Sequence, residues 1–286
     1  MANIRLIGRR IKGVKSTAKI TRAMEMIAAS RMRRAQESGV AGRPYSEKIT
    51  QVISALAALP AEGRELHPCL QRRRPVKNIT LVHITPDRGL AGGLVSNINR
   101  KTAAFILEKN TPVNVIALGR KGLDFLRRTG QNVTAEFTGF GDRPTLIDTL
   151  PISHIIIDDY SNAVIDEVYL AYTQFVNTMV QKPVIEKILP VEPAPIPAAE
   201  NVDYIYEPDS IKVLGGLLPR FVEMKVYHHI LESIASEQSA RMVAMRNATE
   251  NANELIEDLT LAYNKARQEM ITTELLDITG GAVAIE

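Results

Sequence analysis

The chain has 286 residues, 45% of them hydrophobic and 23% charged, which suits a folded globular protein and excludes a disordered one. Aromatic residues are only 5% and Trp is absent, so stacking platforms for nucleic-acid bases are scarce. A single cysteine, Cys69, excludes an internal disulfide and any multi-cysteine metal site, while the net charge of +3 conceals a strong polarity between the two ends.

The N-terminal segment reads as a long helix from Asn3 to Leu59, closed by Pro60. Ile4, Ile7, Ile11, Val14 and Ala18 step by three and four, the pattern continues into Ile20, Met24 and Ile27, and it resumes after Pro44 with Ile49, Val52 and Leu56. Its first 48 residues carry Arg5, Arg9, Arg10, Lys12, Lys15, Lys19, Arg22 and further basic residues against Glu25, Glu37 and Glu47 alone. The apolar stepping makes this Arg-rich stretch a structural helix rather than a transit peptide.

Short apolar runs then alternate with amphipathic stretches: NITLVHIT (Asn78 to Thr85), a helix over about Leu94 to Lys109, VNVIALG (Val113 to Gly119), a helix near Gly122 to Arg128, QNVTAEFTG, a helix after Pro144 or Pro151, then DEVYLAYTQFV and KPVIEKILPV. This βαβ grammar predicts a Rossmann-like α/β domain over residues 75–191. The Pro-rich PVEPAPIPAAEN reads as a connector back to the long helices, and residues 192–209 form the connecting segment.

From 210 to 286 a second long helix is expected. Met242, Met245, Thr249, Ala252, Ile256, Leu259, Tyr263, Ala266, Met270 and Thr273 recur at alternating steps of three and four, the seam of a coiled coil that needs a partner helix. The basic N-terminal helix is that partner, because acidic residues dominate here, Glu250, Glu254, Glu257, Asp258, Glu269 and Glu274 among them. The fold class is therefore α/β plus long helices, an antiparallel coiled coil of the N- and C-terminal helices flanking the α/β domain. At 1.5 Å per residue the second helix reaches roughly 110 Å and the first roughly 85 Å, so an apolar-sided end carrying Ile271, Leu275, Leu276 and Ile278 must overhang and be covered by something else.

Chemistry-bearing candidates are few. The loop TPDRGLAGGL (Thr85 to Leu94) sits where a Rossmann domain binds phosphate, yet it is neither G-x-G-x-x-G nor a P-loop and reads as a tight glycine turn with Asp87 and Arg88 fixing it locally. His228 and His229 are adjacent, hence about 100° apart on a helix, and read as core or solvated histidines rather than a metal pair. Asp158 and Asp159 read as a solvated turn. The Arg72–Arg74 cluster invites a nucleic-acid reading but lacks interleaved aromatics. No catalytic constellation, cofactor site or metal site is apparent, and no apolar run of about 18 residues spans a membrane.

Four ordered stretches carry a family resemblance: KSTAKITRAMEMIAASRMRRAQ (Lys15 to Gln36), DRGLAGGL, YIYEPD (Tyr204 to Asp209) and SEQSARMVAMRNATENANELIEDLTLAYNKARQEMITTEL. Nearly end to end, the chain resembles the gamma subunits of F-type ATP synthases. The resemblance implies a non-catalytic central rotor shaft whose coiled coil turns inside a hexameric ring of alpha and beta subunits, coupling rotation of the membrane c-ring to ATP synthesis or hydrolysis. It implies coupling contacts to alpha and beta at Met24, Arg267, Gln268 and Thr272, with seam packing as the other role open to Met24. It places a foot for the epsilon subunit and the c-ring at Tyr204, Tyr206 and Glu207, and an apical bearing tip at Ile271, Leu275, Leu276 and Ile278. It implies no cofactor, no nucleic-acid partner and no direct membrane span, with a location on the cytoplasmic face of a bacterial plasma membrane. Ala91 replaces a cysteine common in the glycine loop, and Gly280–Gly281 a common Ser-Gly. With no inserted segment and no partner for Cys69, no thiol switch is expected, and Cys69 is taken as an exposed labelling point. The rival readings are a nucleotide-binding regulatory coiled-coil protein and a basic nucleic-acid-binding coiled coil.

Overall fold

The computed structural model describes residues 2–58, 67–109, 111–192, 207 and 209–283. In chain order they form α1 (Ala2–Ala58), β1 (Ile79–Ile84), α2 (Leu94–Glu108), β2 (Val113–Leu118), α3 (Arg120–Arg128), β3 (Val133–Phe137), α4 (Leu146–Ser161), β4 (Glu167–Phe175), β5 (Gln181–Leu189) and α5 (Ser210–Val283). Two compact units result: residues 29–240, and residues 1–28 with 241–286.

In the larger unit the strands lie in the order β3-β2-β1-β4-β5, with β1 to β4 parallel and β5 antiparallel on β4. Every residue of β1 is buried, because a central parallel strand is covered on both faces, whereas edge strand β3 alternates between half-buried and exposed. One face packs α2 and α3 through Ile98 on Leu81 and Ala171, and Leu123 and Leu126 on Val115 and Ala117. The other face packs Ile152, Ile156 and Tyr160 of α4, Leu218, Val222, Val226 and Ile230 of α5, and Ile49 and Ile53 of α1.

Of the two starts expected for α4 the structure has the one after Pro144, with Thr145 as its N-cap. Asp148 accepts the Thr145 backbone N–H at 2.6 Å, a capping box that opens the helix at Leu146 and carries Pro151 inside it. Those same hydrogen bonds hold the Asp148 carboxyl below its ordinary range. Pro44 likewise sits inside α1 rather than interrupting it; Val40, whose carbonyl loses its helical donor there, is 56% exposed, so water can serve it.

The smaller unit is an antiparallel helix pair. Thr21 meets Thr249, Glu25 meets Arg246, and a Cβ at Gly8 would lie 3.6 Å from Tyr263, so paired residue numbers total 270 or 271 throughout. On α5 the covered positions from Met245 to Met270 are the expected stripe with Ala248, while most residues between are exposed. On α1 the seam is Ile4, Ile7, Ile11, Val14, Ala18, Thr21, Glu25 and Ala28. Ile20 and Ile27, expected to continue it, are 58% and 50% exposed. The strict three-four step runs on through Thr21 and Glu25, and the apolar residues at 20 and 27 fall one position off it.

Candidate functional site

The coiled-coil unit carries most of the expected contact residues. Met24 is half-buried at the seam edge, flanked along the outer surface by exposed Ile20 and Ile27, so seam packing accounts for only part of its surface. Arg267, Gln268 and Thr272 are exposed on α5, with the Thr272 hydroxyl donating to the Gln268 carbonyl at 2.9 Å. The structure does not gather these four residues. The pairing register sets Met24 level with Arg246 and Asn247, about 20 residues or 30 Å along the rod from Arg267. The expected contact residues thus fall into two separate bands along the rod.

Beyond Met270 the second band continues onto bare helix. The register exhausts α1 at that level, and Ile271, Leu275, Leu276 and Ile278 are 45%, 57%, 65% and 69% exposed. Arg5, Arg9, Arg10, Lys12, Lys15, Lys19 and Arg22 are exposed on α1. The gross charge polarity of the two helices does not set the ion pair across the seam: there the acid, Glu25, is on α1 and the base, Arg246, on α5. Of the expected foot, Glu207 is exposed, while Tyr204 and Tyr206 lie outside the described residues.

The groups of the loop after β1 fill the N-terminus of α3, not that of α2, the helix that follows the glycine turn. At the α3 N-terminus, Arg120 N–H goes to Asp87 Oδ1 at 2.9 Å, Lys121 N–H to the Pro86 carbonyl at 3.1 Å, and Gly122 N–H to Thr85 Oγ1 at 2.8 Å. Asp87 Oδ2 also accepts the Gly139 N–H at 2.8 Å, so this side chain ties three loops together. The donors that a helix N-terminus offers an anion are thus taken. Two glycines allow that closure: a Cβ at Gly119, whose φ is +85°, would lie 1.9 Å from the Thr85 carbonyl, and one at Gly122 would lie 2.6 Å from Thr85 Oγ1. A cleft of about 310 Å³ remains beside them, and Ile230, Ser233, Ile234 and Glu237 of α5 form one wall.

The other candidates are structural. Arg73 donates to the Tyr160 and Ile165 carbonyls, both at 2.6 Å, and lies over the Tyr160 ring, while Arg72 pairs with Glu192 at 3.5 Å. His229 is buried against the Tyr172 ring, with Glu186 and Glu232 3.5 and 3.6 Å away on opposite ring nitrogens. Burial pushes the Tyr172 hydroxyl well above its ordinary range and draws His228 below its own. Among the described residues no cluster of acidic, His or Cys side chains has metal-site geometry. Asp158 and Asp159 belong to the last turns of α4 rather than to a turn. Cys69, expected to be exposed, is fully buried beneath the sheet, and burial pushes its thiol up to about 11. No described helix is long and apolar enough to cross a membrane.

Hydrophobic periodicity missed the polar side chains inside the seam, Thr21 and Glu25, and the buried His83–Asn99–Thr102 network on β1 and α2, whose contacts are 2.9 and 3.0 Å. The unbroken three-four step through positions 21 and 25 was the available signal for the first pair.

The family model described as ATP synthase matches residues 3–285. The ATP synthase gamma chain of Dehalococcoides mccartyi is 67% identical over 285 residues, covering 100% of both chains, and that of Roseiflexus castenholzii is 51% identical, covering 100% of this chain and 99% of its own. Among solved structures, a chain of the Euglena gracilis mitochondrial ATP synthase, OSCP/F1/c-ring, superposes with a TM-score of 0.67 at 18% identity over 99% of this chain and 95% of its own. A chain of the Tetrahymena thermophila mitochondrial central stalk and c-ring gives 0.62 at 24% identity over 80% and 99%. Matched over its full length by the family model and at up to two-thirds identity by curated relatives, the chain belongs to the ATP synthase gamma-chain family.

Proposed function

We propose that the chain is the central rotor shaft of an F-type ATP synthase and that its coiled coil turns inside a ring of alpha and beta subunits. It performs no catalysis itself; that belongs to the beta subunits. Sites of identical sequence adopt different conformations only when something without threefold symmetry makes different contacts with each. A two-helix rod that narrows to one helix has no such symmetry, and turning it permutes the contacts.

The observation that carries this reading is the outer surface of the coiled-coil unit. It pairs a narrow seam with apolar side chains facing outward at Ile20, Met26 and Ile27 and along the bare end from Ile271 to Ile278. Met24 serves the lower contact band, Arg267, Gln268 and Thr272 the upper one, and Ile271, Leu275, Leu276 and Ile278 turn in an apolar bearing. Tyr204, Tyr206 and Glu207 form the foot that meets the epsilon subunit and the c-ring. The complex sits on the cytoplasmic face of a bacterial plasma membrane.

Buried Cys69 cannot carry a probe, so the test places a cysteine at Leu107, which is 84% exposed. A bead attached there, with the chain assembled into alpha and beta subunits on a surface, should step in one direction while ATP is present and stop when it is withdrawn. Substituting Arg267 and Gln268 should then weaken torque without blocking assembly. A folded, labelled chain that does not enter the ring overturns the shaft reading. Micromolar ATP binding by the isolated chain would restore the nucleotide-binding reading.

A further inference from the structure

The apolar stripe of the coiled coil does not set its own register. Its steps alternate between three and four, so sliding α5 by seven residues along α1 replaces each seam residue with another of the same pattern. The buried seam side chains Ala18, Ala28, Met245 and Ala252 are small or pliable, and resist such a slip weakly. A shaft under torque needs something that does resist it.

One layer of the seam is different in kind. The Thr21 and Thr249 hydroxyls lie 2.7 Å apart across the helices, and whichever does not donate across the seam has its own backbone acceptor, Ala18 at 3.1 Å or Met245 at 2.9 Å. One turn on, Glu25 is 6% exposed and divides its carboxylate between the helices. Its Oε2 accepts from Arg22 at 3.1 Å and its Oε1 from Arg246 at 3.1 Å. A buried carboxylate that loses a cation is strongly penalised, which is why such groups specify pairing where apolar packing does not.

The geometry points to Thr21, Thr249, Glu25 and Arg246 as a register clamp, a set of positioning residues that stops α1 and α5 from sliding along one another when the shaft carries torque. The inference deepens the shaft reading and rests on it. A slip of one heptad in one direction sets Thr21 against Ile256 and Glu25 against Asn253; in the other direction it sets Thr21 against Met242. Either way a hydroxyl faces an apolar side chain and the carboxylate loses Arg246.

The test uses the complete ATP synthase in sealed vesicles. Cysteine pairs T21C with T249C and T21C with I256C report the native and the slipped register by disulfide formation during ATP-driven pumping. With Glu25 and Arg246 intact only the first pair should cross-link. In E25Q/R246Q the second should cross-link about tenfold more than in the parent, and ions pumped per ATP hydrolysed should fall. Forming the T21C–T249C disulfide in that background should restore the ratio, and dithiothreitol should abolish it again. Because the ratio is counted per ATP hydrolysed, a lower yield of assembled complex does not move it. Should the double variant not assemble, Arg246→Gln alone, which leaves Arg22 on Glu25, carries the same test with a smaller rise. An unchanged ratio with native cross-linking only overturns the clamp, whereas a parent complex that does not rotate overturns the shaft reading instead.

Discussion

The two units handle apolar surface in opposite ways. The α/β unit has a core of large side chains that are completely buried: Leu81, Ile98, Ile116, Leu126, Ile152, Ile156 and Leu170 are each at most 1% exposed. The coiled-coil unit buries chiefly alanines and polar groups in its seam and leaves Ile20, Ile27, Leu261, Leu275 and Leu276 in solvent. One unit is built on a core of large apolar side chains, and the other on a seam of small and polar ones. Burial in the first therefore acts on folding, and burial in the second acts on assembly.

A pair of truncations should separate the two most widely. Ile156→Ala removes a fully buried side chain between α4 and the sheet, and urea denaturation of the isolated chain should register a loss of about 3 to 5 kcal/mol. Leu276→Ala, at 65% exposure, should change that stability by about 0.5 kcal/mol or less. Its effect should appear instead as weaker binding to the alpha–beta assembly, by about 1 to 2 kcal/mol. Equal losses of folding stability would show that the bare end is supported within the chain.

The α/β unit should also respond to acid. His83 is fully buried between Asn99 and Thr102, and burial draws its ring down to about 4. With the folded value below the unfolded one, the neutral ring stabilises the fold above about 6.5, and that contribution is lost as pH falls from there towards 4. The loss is on the order of 3 kcal/mol. Replacing His83 with Gln should flatten the pH dependence of α/β-unit unfolding in this window, measured by near-UV circular dichroism. Cys69 works from the alkaline side. Its thiol, pushed up from 9.0 to about 11, favours the fold below 9, and that contribution, about 3 kcal/mol, is lost as pH rises towards 11. A maleimide should label Cys69 only on unfolding, and dithiothreitol should leave the activity of the complex unchanged.

What the sequence revealed divides along the same line. The α/β elements were legible because strand and helix periods differ and glycines or prolines separate them; β1 and β2 fall within a residue or two of the apolar runs that announced them. The α5 stripe was legible because its residues keep the three-four step without a break from Met242 to Thr273. On α1 the same reasoning failed at Ile20 and Ile27, because this helix carries a second apolar stripe, exposed and beside the seam, that periodicity alone does not separate from the first. Glu25 was invisible for the converse reason: its burial depends on Arg22 and on Arg246, more than 200 residues away in the chain. Exposure of Cys69 likewise depends on Tyr160, Leu189 and Val191 closing over it, which no local pattern announces.

The smallest contrast concerns two threonines, one in each unit. Thr145 caps α4 through its exchange with Asp148, so Thr145→Ala should destabilise the isolated chain by about 1 kcal/mol, and Thr145→Ser should recover most of it. Thr272 lies exposed in the body of α5, its hydroxyl turned back to the Gln268 carbonyl, so Thr272→Ala exchanges a middling helix former for the best one. Folding stability should then hold or rise by a few tenths of a kcal/mol, roughly the propensity difference. If Thr272 belongs to the upper contact band, the same substitution lowers the torque of the assembled complex while the isolated chain melts no lower than the parent. A fall in both together would return Thr272 to an ordinary helix position and leave Arg267 and Gln268 to carry that band.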